Sequence, residues 1–356
     1  MAYMALVLLL IFIAIMLLGI PVGFGMGALT VIAFELLGGD LSMIPQKMFA
    51  GIDTYTYVCI LLFILSADIM SVGGITNAIV VFCEKLVGHI KGGLAHVNVL
   101  ASMLFAGLSG SAAADAAGLG PIEIKMMTDG GYDKEFSSCL TAASAIIGPI
   151  IPPSNIMIIY AGCVGTVSVG KMFLAGAIPG ILLGIAYMIF CYWISVKRKY
   201  PCRKTRATWK EIGHATWETL PALLLPIIIM GTITLGICTA TESSAIAVIY
   251  STIVAACKKN LSIKSFCRAC IRSAKAAANV LFIIAISSAM AWAVTTLGVA
   301  QALTNFCVAY INNKIVFLLF VNVLLLLIGM LLDASPALLL MVPILWPVAK
   351  TLGIDA

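Results

Sequence analysis

The sequence has 356 residues, 62% of them hydrophobic and 10% charged, against about 45–50% and about 25% in soluble domains; with a mean hydropathy of +1.13, a water-soluble globule is excluded. The net charge of +6 does not describe a nucleic-acid-binding face. Thirteen of the 21 cations fall in two acid-free windows, residues 197–210 and 258–275, leaving eight against fifteen acids elsewhere, which is the pattern of basic cytoplasmic loops on a membrane protein. Several apolar runs pass the roughly 20 residues that span a bilayer, and none shows the period-two alternation of a barrel, so the reading is an all-α polytopic membrane protein.

In chain order, the first apolar stretch covers residues 4–36 with Gly19-Ile20-Pro21 in its middle. It reads as one kinked helix or two short ones, too long and too poor in basic flanks for a cleaved signal. Further spans are expected near 56–83, 94–118, 138–162, 172–196, 219–236, 240–257, 277–300 and 315–349. If both basic windows are cytoplasmic, an even number of crossings separates them, and residues 219–257 fit two short spans turning at Gly236–Glu242 on the outer side.

Two stretches are apolar but unlike simple spans. Glycine, serine and an acid interrupt Leu104–Gly120, and Asp333-Ala334-Ser335-Pro336 interrupts Ile328–Val342. Backbone released from helical bonding cannot face lipid, so both read as re-entrant hairpins or broken helices. At a shift of 222 residues, Gly107, Ala112 and Pro121 match Gly329, Ala334 and Pro343, and Ile64, Ser66 and Ala67 match Ile286, Ser288 and Ala289. Such offsets characterise the internal repeats of secondary transporters. Were the first unit to end near residue 196, the second would end near residue 418, about 62 residues past the end of this sequence.

Between residues 146 and 155, Pro149, Pro152 and Pro153 interrupt an otherwise apolar span. Each proline removes an amide donor, so the helix unwinds and leaves carbonyl oxygens without intrahelical partners. Opposite the Ser109-Gly110-Ser111 interruption, such carbonyls suit a hard cation, whereas a lone proline kink would only shape packing. Acids in apolar surroundings are Asp68, Asp115, Glu242 and Asp333, each a functional candidate. Asp333 is the strongest for ion or substrate work; Asp115 reads equally as a helix cap, Glu242 as part of an interfacial turn and Asp68 as near a helix end. No arginine or lysine lies within the apolar segments to grip a carboxylate. The residues bordering the two breaks, Gly110, Pro152, Ser154, Asn155 and Ser335, are the substrate-binding candidates.

Catalysis is not supported. His89, His96 and His214 are widely spaced, and no H-E-x-x-H, G-x-S-x-G or phosphate-binding loop occurs, so an enzyme is not expected and the energy source is an ion gradient or a partner. The eleven cysteines form no disulfide framework, and Cys267 and Cys270 lack the further ligands of a zinc site.

The segments 107–120 (GLSGSAAADAAGLG), 146–162 (IIGPIIPPSNIMIIYAG), 167–184 (VSVGKMFLAGAIPGILLG), 236–250 (GICTATESSAIAVIY) and 329–355 (GMLLDASPALLLMVPILWPVAKTLGID) resemble the large permease subunit of tripartite ATP-independent periplasmic (TRAP) transporters, the DctM-like family. The resemblance implies an elevator-type transporter with two inverted repeats, re-entrant helical hairpins and broken helices in a bacterial inner membrane. It implies sodium-coupled symport of an organic acid, a C4-dicarboxylate, sialic acid or similar carboxylate. The partners it implies are a periplasmic substrate-binding protein and a small four-helix membrane subunit, within a lipid bilayer and without nucleic acid. By motif, a first sodium would be held by Ser109, Ser111, Gly148, Ile151 and Pro153, largely through backbone oxygens, and a second near Gly329 and Asp333.

The corresponding organisation is scaffold helices over 1–56, and a first repeat over 57–196 with a hairpin at about 100–127 and a broken helix at about 138–162. Basic loops and connecting helices follow over 197–278, then a second, incomplete repeat over 279–356 with a hairpin at about 322–349. Leu61 stands where the family usually has proline, and Thr239-Ala240-Thr241 replaces a usual Thr-Pro-Thr. The family also continues past Gly353-Ile354-Asp355 into a further span and a Thr-Pro-Pro-Val-Gly break, so the chain reads as C-terminally shortened. A non-transporting membrane scaffold or remnant and a proton-coupled anion carrier using Asp333 and Glu242 are the alternative readings.

Overall fold

The computed structural model describes residues 11, 14, 15, 18–202, 206–259, 261–298, 313–330 and 332–355. Among these, every regular element is helical. Six helices are long and apolar enough to cross a membrane: Tyr55–Val72, Val169–Arg198, Trp209–Thr234, Ala240–Cys257, Ile263–Thr296 and Ala334–Thr351. The start of the first apolar stretch, residues 4–10, and Cys307 lie outside the described residues. No disulfide forms among the described cysteines.

Helix boundaries follow local chemistry. Gly19 has φ +75° and Pro21 stands at the N-cap of α1 (Val22–Leu36), so the 4–36 stretch is interrupted at the predicted point. After α2 (Met43–Ile52) and a short turn of tight helix, α3 (Val58–Val72) and α4 (Ile75–Val87) replace the single span expected over 56–83. The break lies at Gly73-Gly74, where Gly74 takes φ +76° as the N-cap of α4. Asp68, Ser71, Thr76 and Asn77 lower the hydropathy around the two glycines, and the glycines break the helix there.

Next come α5 (Gly93–Ser109), α6 (Ala112–Gly118), α7 (Gly120–Asp129), α8 (Lys134–Ala145), α9 (Asn155–Val164) and α10 (Val169–Arg198). α11 (Trp209–Thr234) and α12 (Ala240–Cys257) each open with a capping box, Thr208 with Glu211 and Thr239 with Glu242. In each box a threonine hydroxyl and a glutamate satisfy two orphan amides. These two helices lie between the basic windows, and their turn includes Gly236 to Thr239. α13 (Ile263–Thr296) begins inside the second basic window, so that window is mostly helix rather than loop and Cys267 and Cys270 sit on its first turns. Its cations occupy every third or fourth position from Lys264 to Lys275, a spacing that leaves one helical stripe charged without breaking the helix. α14 (Lys314–Gly329), capped by Asn313, and α15 (Ala334–Thr351) complete the order.

The chain divides into two compact units. One comprises Met1–Tyr57, Ile159–Val167 and Ala277–Ala356, the other Val58–Ile158 and Ser168–Ala276. The core of the first joins Met26, Leu29 and Phe34 of α1 to Ile286, Met290 and Ala293 of α13, with Phe34 stacked on Trp292 at 4.9 Å between ring centroids.

In the second unit, α12 turns a face of small residues (Ala247, Ser251, Ala255) onto α3. The Ser66 and Ser251 hydroxyls meet at 2.8 Å, and a Cβ on Gly73 would stand 3.2 Å from that of Ala255. Small side chains let the backbones approach closely, which is how helices associate where the solvent is as apolar as they are. At the first basic window, Arg198 at the end of α10 and the Tyr200 hydroxyl both donate to Asp133, at 2.7 and 2.5 Å. Tyr200 also stacks on Tyr132 at 4.3 Å.

Candidate ion and substrate site

The site lies wholly in the second unit and has two halves. The first is the tip between α5 and α6. α5 ends because Gly110 takes φ +60°, its N–H still bonding to Ala106 O, and α6 restarts because Ser111 adopts an extended conformation and accepts from Ala114 N. The cap of this half-helix is therefore Ser111 and not Asp115, which was a cap candidate by sequence. Asp115 instead turns inward, 1% exposed. Its Oδ1 accepts a short hydrogen bond from the Ser109 hydroxyl, and its Oδ2 is buried with no hydrogen-bond partner. Ser109 Oγ also accepts from Ser111 N at 3.3 Å.

The second half is the interruption between α8 and α9, residues 146–154. It carries a cis peptide between Pro152 and Pro153. The Ser154 hydroxyl is fully buried and donates to Pro149 O at 2.5 Å, while accepting from Met157 N at 3.4 Å. It thus caps α9 from inside and occupies one of the carbonyls that the prolines expose.

The two halves touch. Asn155 N–H donates to Gly110 O at 3.4 Å. A Cβ on Gly110 would lie 2.5 Å from Pro153 O, 3.1 Å from Ser154 Cα and 3.3 Å from Asn155 N. Gly148 is likewise bare at the one place where Asp115 needs room: a Cβ there would collide with the Asp115 carboxylate. The structure therefore brings together Ser109, Gly110, Ser111, Gly148, Pro153, Ser154 and Asn155, and adds the Asp115 carboxyl beside Ser109 and Gly148.

Behind the break, α10 supplies a ladder of glycines. Gly176 faces Met157 and lies 2.7 Å, from its would-be Cβ, to Ile150 O; Gly180 meets Ile151 Cγ1 at 2.5 Å; Gly184 receives Met103. Ile151 is thus held by its side chain against α10. Pro152 O lies beside Gly107, 3.7 Å from its would-be Cβ.

The residues predicted for the second ion fall in the first unit. Gly329 ends α14 with open space around it. Asp333 is exposed at the N-cap position of α15 without a side-chain capping bond, and Ser335 is half-buried in the first turn of that helix. α14 and α15 pack together as two arms, and Ala112 and Ala334, 222 residues apart in sequence, each begin the returning helix.

Asp68, near the end of α3 as expected, is gripped by Arg272 at 2.6 Å and by the Ser273 hydroxyl at 2.6 Å. A cation was not expected within reach of an embedded acid; the helical course of the second basic window supplies it. Glu242 accepts from Thr239 N and Oγ1, both at 2.8 Å, and is engaged in capping.

One buried acid escaped the sequence reading. Glu123 of α7 is 0% exposed, yet its segment, GPIEIKMMTD, looks polar by composition. The available signal was spacing, since Leu119, Glu123 and Met127 share one helical face and all are buried.

The family model for the tripartite ATP-independent periplasmic transporter DctM component matches residues 9–356. The sialic acid TRAP transporter large permease SiaM of Vibrio cholerae is 40% identical over 95% of this chain and 79% of its own length. The C4-dicarboxylate large permease DctM of Pseudomonas aeruginosa is 36% identical over 92% and 76%. The sialic acid permease SiaT of Haemophilus influenzae is 37% identical over 98% of this chain and 56% of its own length. A hairpin tip docked on a proline-broken helix, a chain of membrane-spanning helices and this extent of similarity together place the protein in the inner membrane as a member of the TRAP transporter large permease family, a transporter subunit and not an enzyme.

Proposed function

We propose that the chain imports a carboxylate-bearing organic acid of the C4-dicarboxylate or sialic acid type, driven by sodium. A periplasmic binding protein delivers the acid, and a small four-helix membrane subunit braces the permease. TRAP large permeases work with a small membrane subunit and a binding protein, and substrates of both kinds are named for relatives. The observation that carries the sodium reading is Asp115 Oδ2, a buried carboxylate oxygen without a partner, set against Gly148 where the break exposes carbonyls. An uncompensated charge in such a place is costly, and a small hard cation relieves it.

In this reading Asp115 supplies the charge, and Ser109, Ser111, Gly148, Ile151 and Pro153 the neutral oxygens. The bound ion ties the Gly110 tip to the break. Tying the tip shapes the face on which Gly110, Pro152, Ser154 and Asn155 meet the substrate, so ion and acid bind cooperatively. The hairpin of α14 and α15, with Gly329 and Asp333, holds a second ion, and Ser335 is a further substrate candidate. Its returning helix starts at the same offset as α6, which supports two repeats of one plan, inverted as in other secondary transporters, moving by an elevator mechanism.

The test is uptake by the chain reconstituted with its small subunit and binding protein, with and without a sodium gradient. Ser109→Leu together with Ser111→Leu abolishes the sodium-dependent component; uptake with undiminished sodium dependence in that variant refutes the site.

A further inference from the structure

We propose that Glu123 is a proton-binding site built into the first hairpin, separate from the tip. Its carboxyl lies between three helices. Asn98 and Ser102 reach it or its neighbours from α5, and Thr141 and Ser144 from α8; all four are buried. The contacts form one chain: Glu123 Oε1 to Ser102 Oγ at 3.4 Å, Ser102 Oγ to Ser144 Oγ at 3.1 Å, Ser144 Oγ to Asn98 Oδ1 at 2.8 Å, and Asn98 Nδ2 to Thr141 Oγ1 at 2.7 Å.

Counting hydrogens along that chain decides its direction. Asn98 Oδ1 has no hydrogen, so Ser144 donates to it. Ser102 then has one proton and two claimants, the nearer Ser144 oxygen and the more distant carboxylate. If Glu123 were ionised, its sole donor would be shared with a closer acceptor, and Oε2, buried with no partner, would carry charge unrelieved. If Glu123 holds a proton on Oε1, every hydroxyl donates once: Glu123 to Ser102, Ser102 to Ser144, Ser144 to Asn98. Only a neutral carbonyl oxygen is then left bare, a far smaller penalty than a bare charge.

The electrostatic surroundings agree. Among the described residues no ion pair reaches Glu123. The titratable groups in range are Asp115 on α6, itself an acid, and the Cys83 thiol on α4. α5 also carries His96, two residues from Asn98 and so on the other side of that helix, while Lys134 and Glu135 stand in the first turn of α8, over a turn away from Thr141. The proton comes from water and converts the carboxylate to a neutral acid. This inference stands whether or not the tip binds sodium.

Infrared difference spectroscopy of the full chain in lipid at neutral pH, wild type against Glu123→Gln, tests it. One protonated-carboxyl C=O band, insensitive to replacing potassium by sodium, disappears in the variant. Glutamine can donate to Ser102 and continue the same chain, so that variant keeps the wild-type melting temperature. Should Glu123→Gln not fold, Ser102→Ala gives the second reading, shifting the same band because Oε1–H loses its acceptor. Carboxylate bands in place of the C=O band, or a C=O band bleached by sodium, overturn the proposal; the latter would make Glu123 a metal ligand.

Discussion

Substituting Gly110 by alanine tests the seating of the tip on the break. Three costs can be taken from the structure. At φ +60° a side chain pays the left-handed penalty of about 1–2 kcal/mol. The new methyl would lie 2.5 Å from Pro153 O, a backbone atom that cannot swing aside, and forced overpacking of this kind costs about 1–3 kcal/mol. Separating the two also stretches the Asn155 N–H to Gly110 O bond, already 3.4 Å long, which adds about 0.5 kcal/mol at the low end of the usual range. The total is about 2.5–5.5 kcal/mol, enough to detach the tip. Gly231→Ala is the matched control: it sits in α11 with nothing within 4 Å of its would-be Cβ, so alanine there gains about 0.5–1 kcal/mol of helix stability. Thermal melting in detergent ranks G231A at or above wild type and G110A well below, and sodium-dependent uptake is lost in G110A alone. If G110A melts with wild type and transports normally, the tip does not rest on the broken helix.

Two further outcomes follow from polar contacts away from the tip. The Asp68–Arg272 pair is short but Arg272 is more than half exposed, so a double-mutant cycle of Asp68→Asn and Arg272→Gln returns a coupling of about 0.5–1 kcal/mol; additive losses would show that the Ser273 bond alone matters. At Asp133, the Tyr200 hydroxyl first and the Arg198 guanidinium second hold the carboxyl below its ordinary 3.8. A lowered folded value means that this contribution is present above 3.8, the unfolded value, and is lost as pH falls through the lower folded one. Asp133→Asn therefore removes that acid-side loss of melting temperature and leaves neutral-pH behaviour flat, whereas identical acid profiles for variant and wild type would refute the assignment.

The breaks were legible because proline and glycine act on the backbone locally. Gly19-Ile20-Pro21, Ser109-Gly110-Ser111 and the proline cluster at 149–153 interrupt helices where the sequence indicated, and the capping boxes explain Glu242 without a transport role. What could not be read depends on long-range packing. The Gly73-Gly74 break is the exception, a local signal of Ser71, two glycines, Thr76 and Asn77 overshadowed by the apolar runs on either side. The charge of Asp115 could be seen, but not that Gly148, 33 positions along the chain, leaves the space it enters. Glu123 was hidden by averaging: its segment is polar overall, and only its helical face is buried.

The glycine ladder of α10 has a consequence for movement. Rungs four residues apart rise about 6 Å each, and their sockets take Met157 and Ile150, Ile151, and Met103 in turn. Displacing any one of these knobs along α10 takes it off its bare glycine and toward side chains of the same face such as Leu183, which packs in the same cluster. α5, the unwound segment and the start of α9 are thus keyed to one rail at fixed register, and whatever stroke the permease makes must carry them as a single cassette.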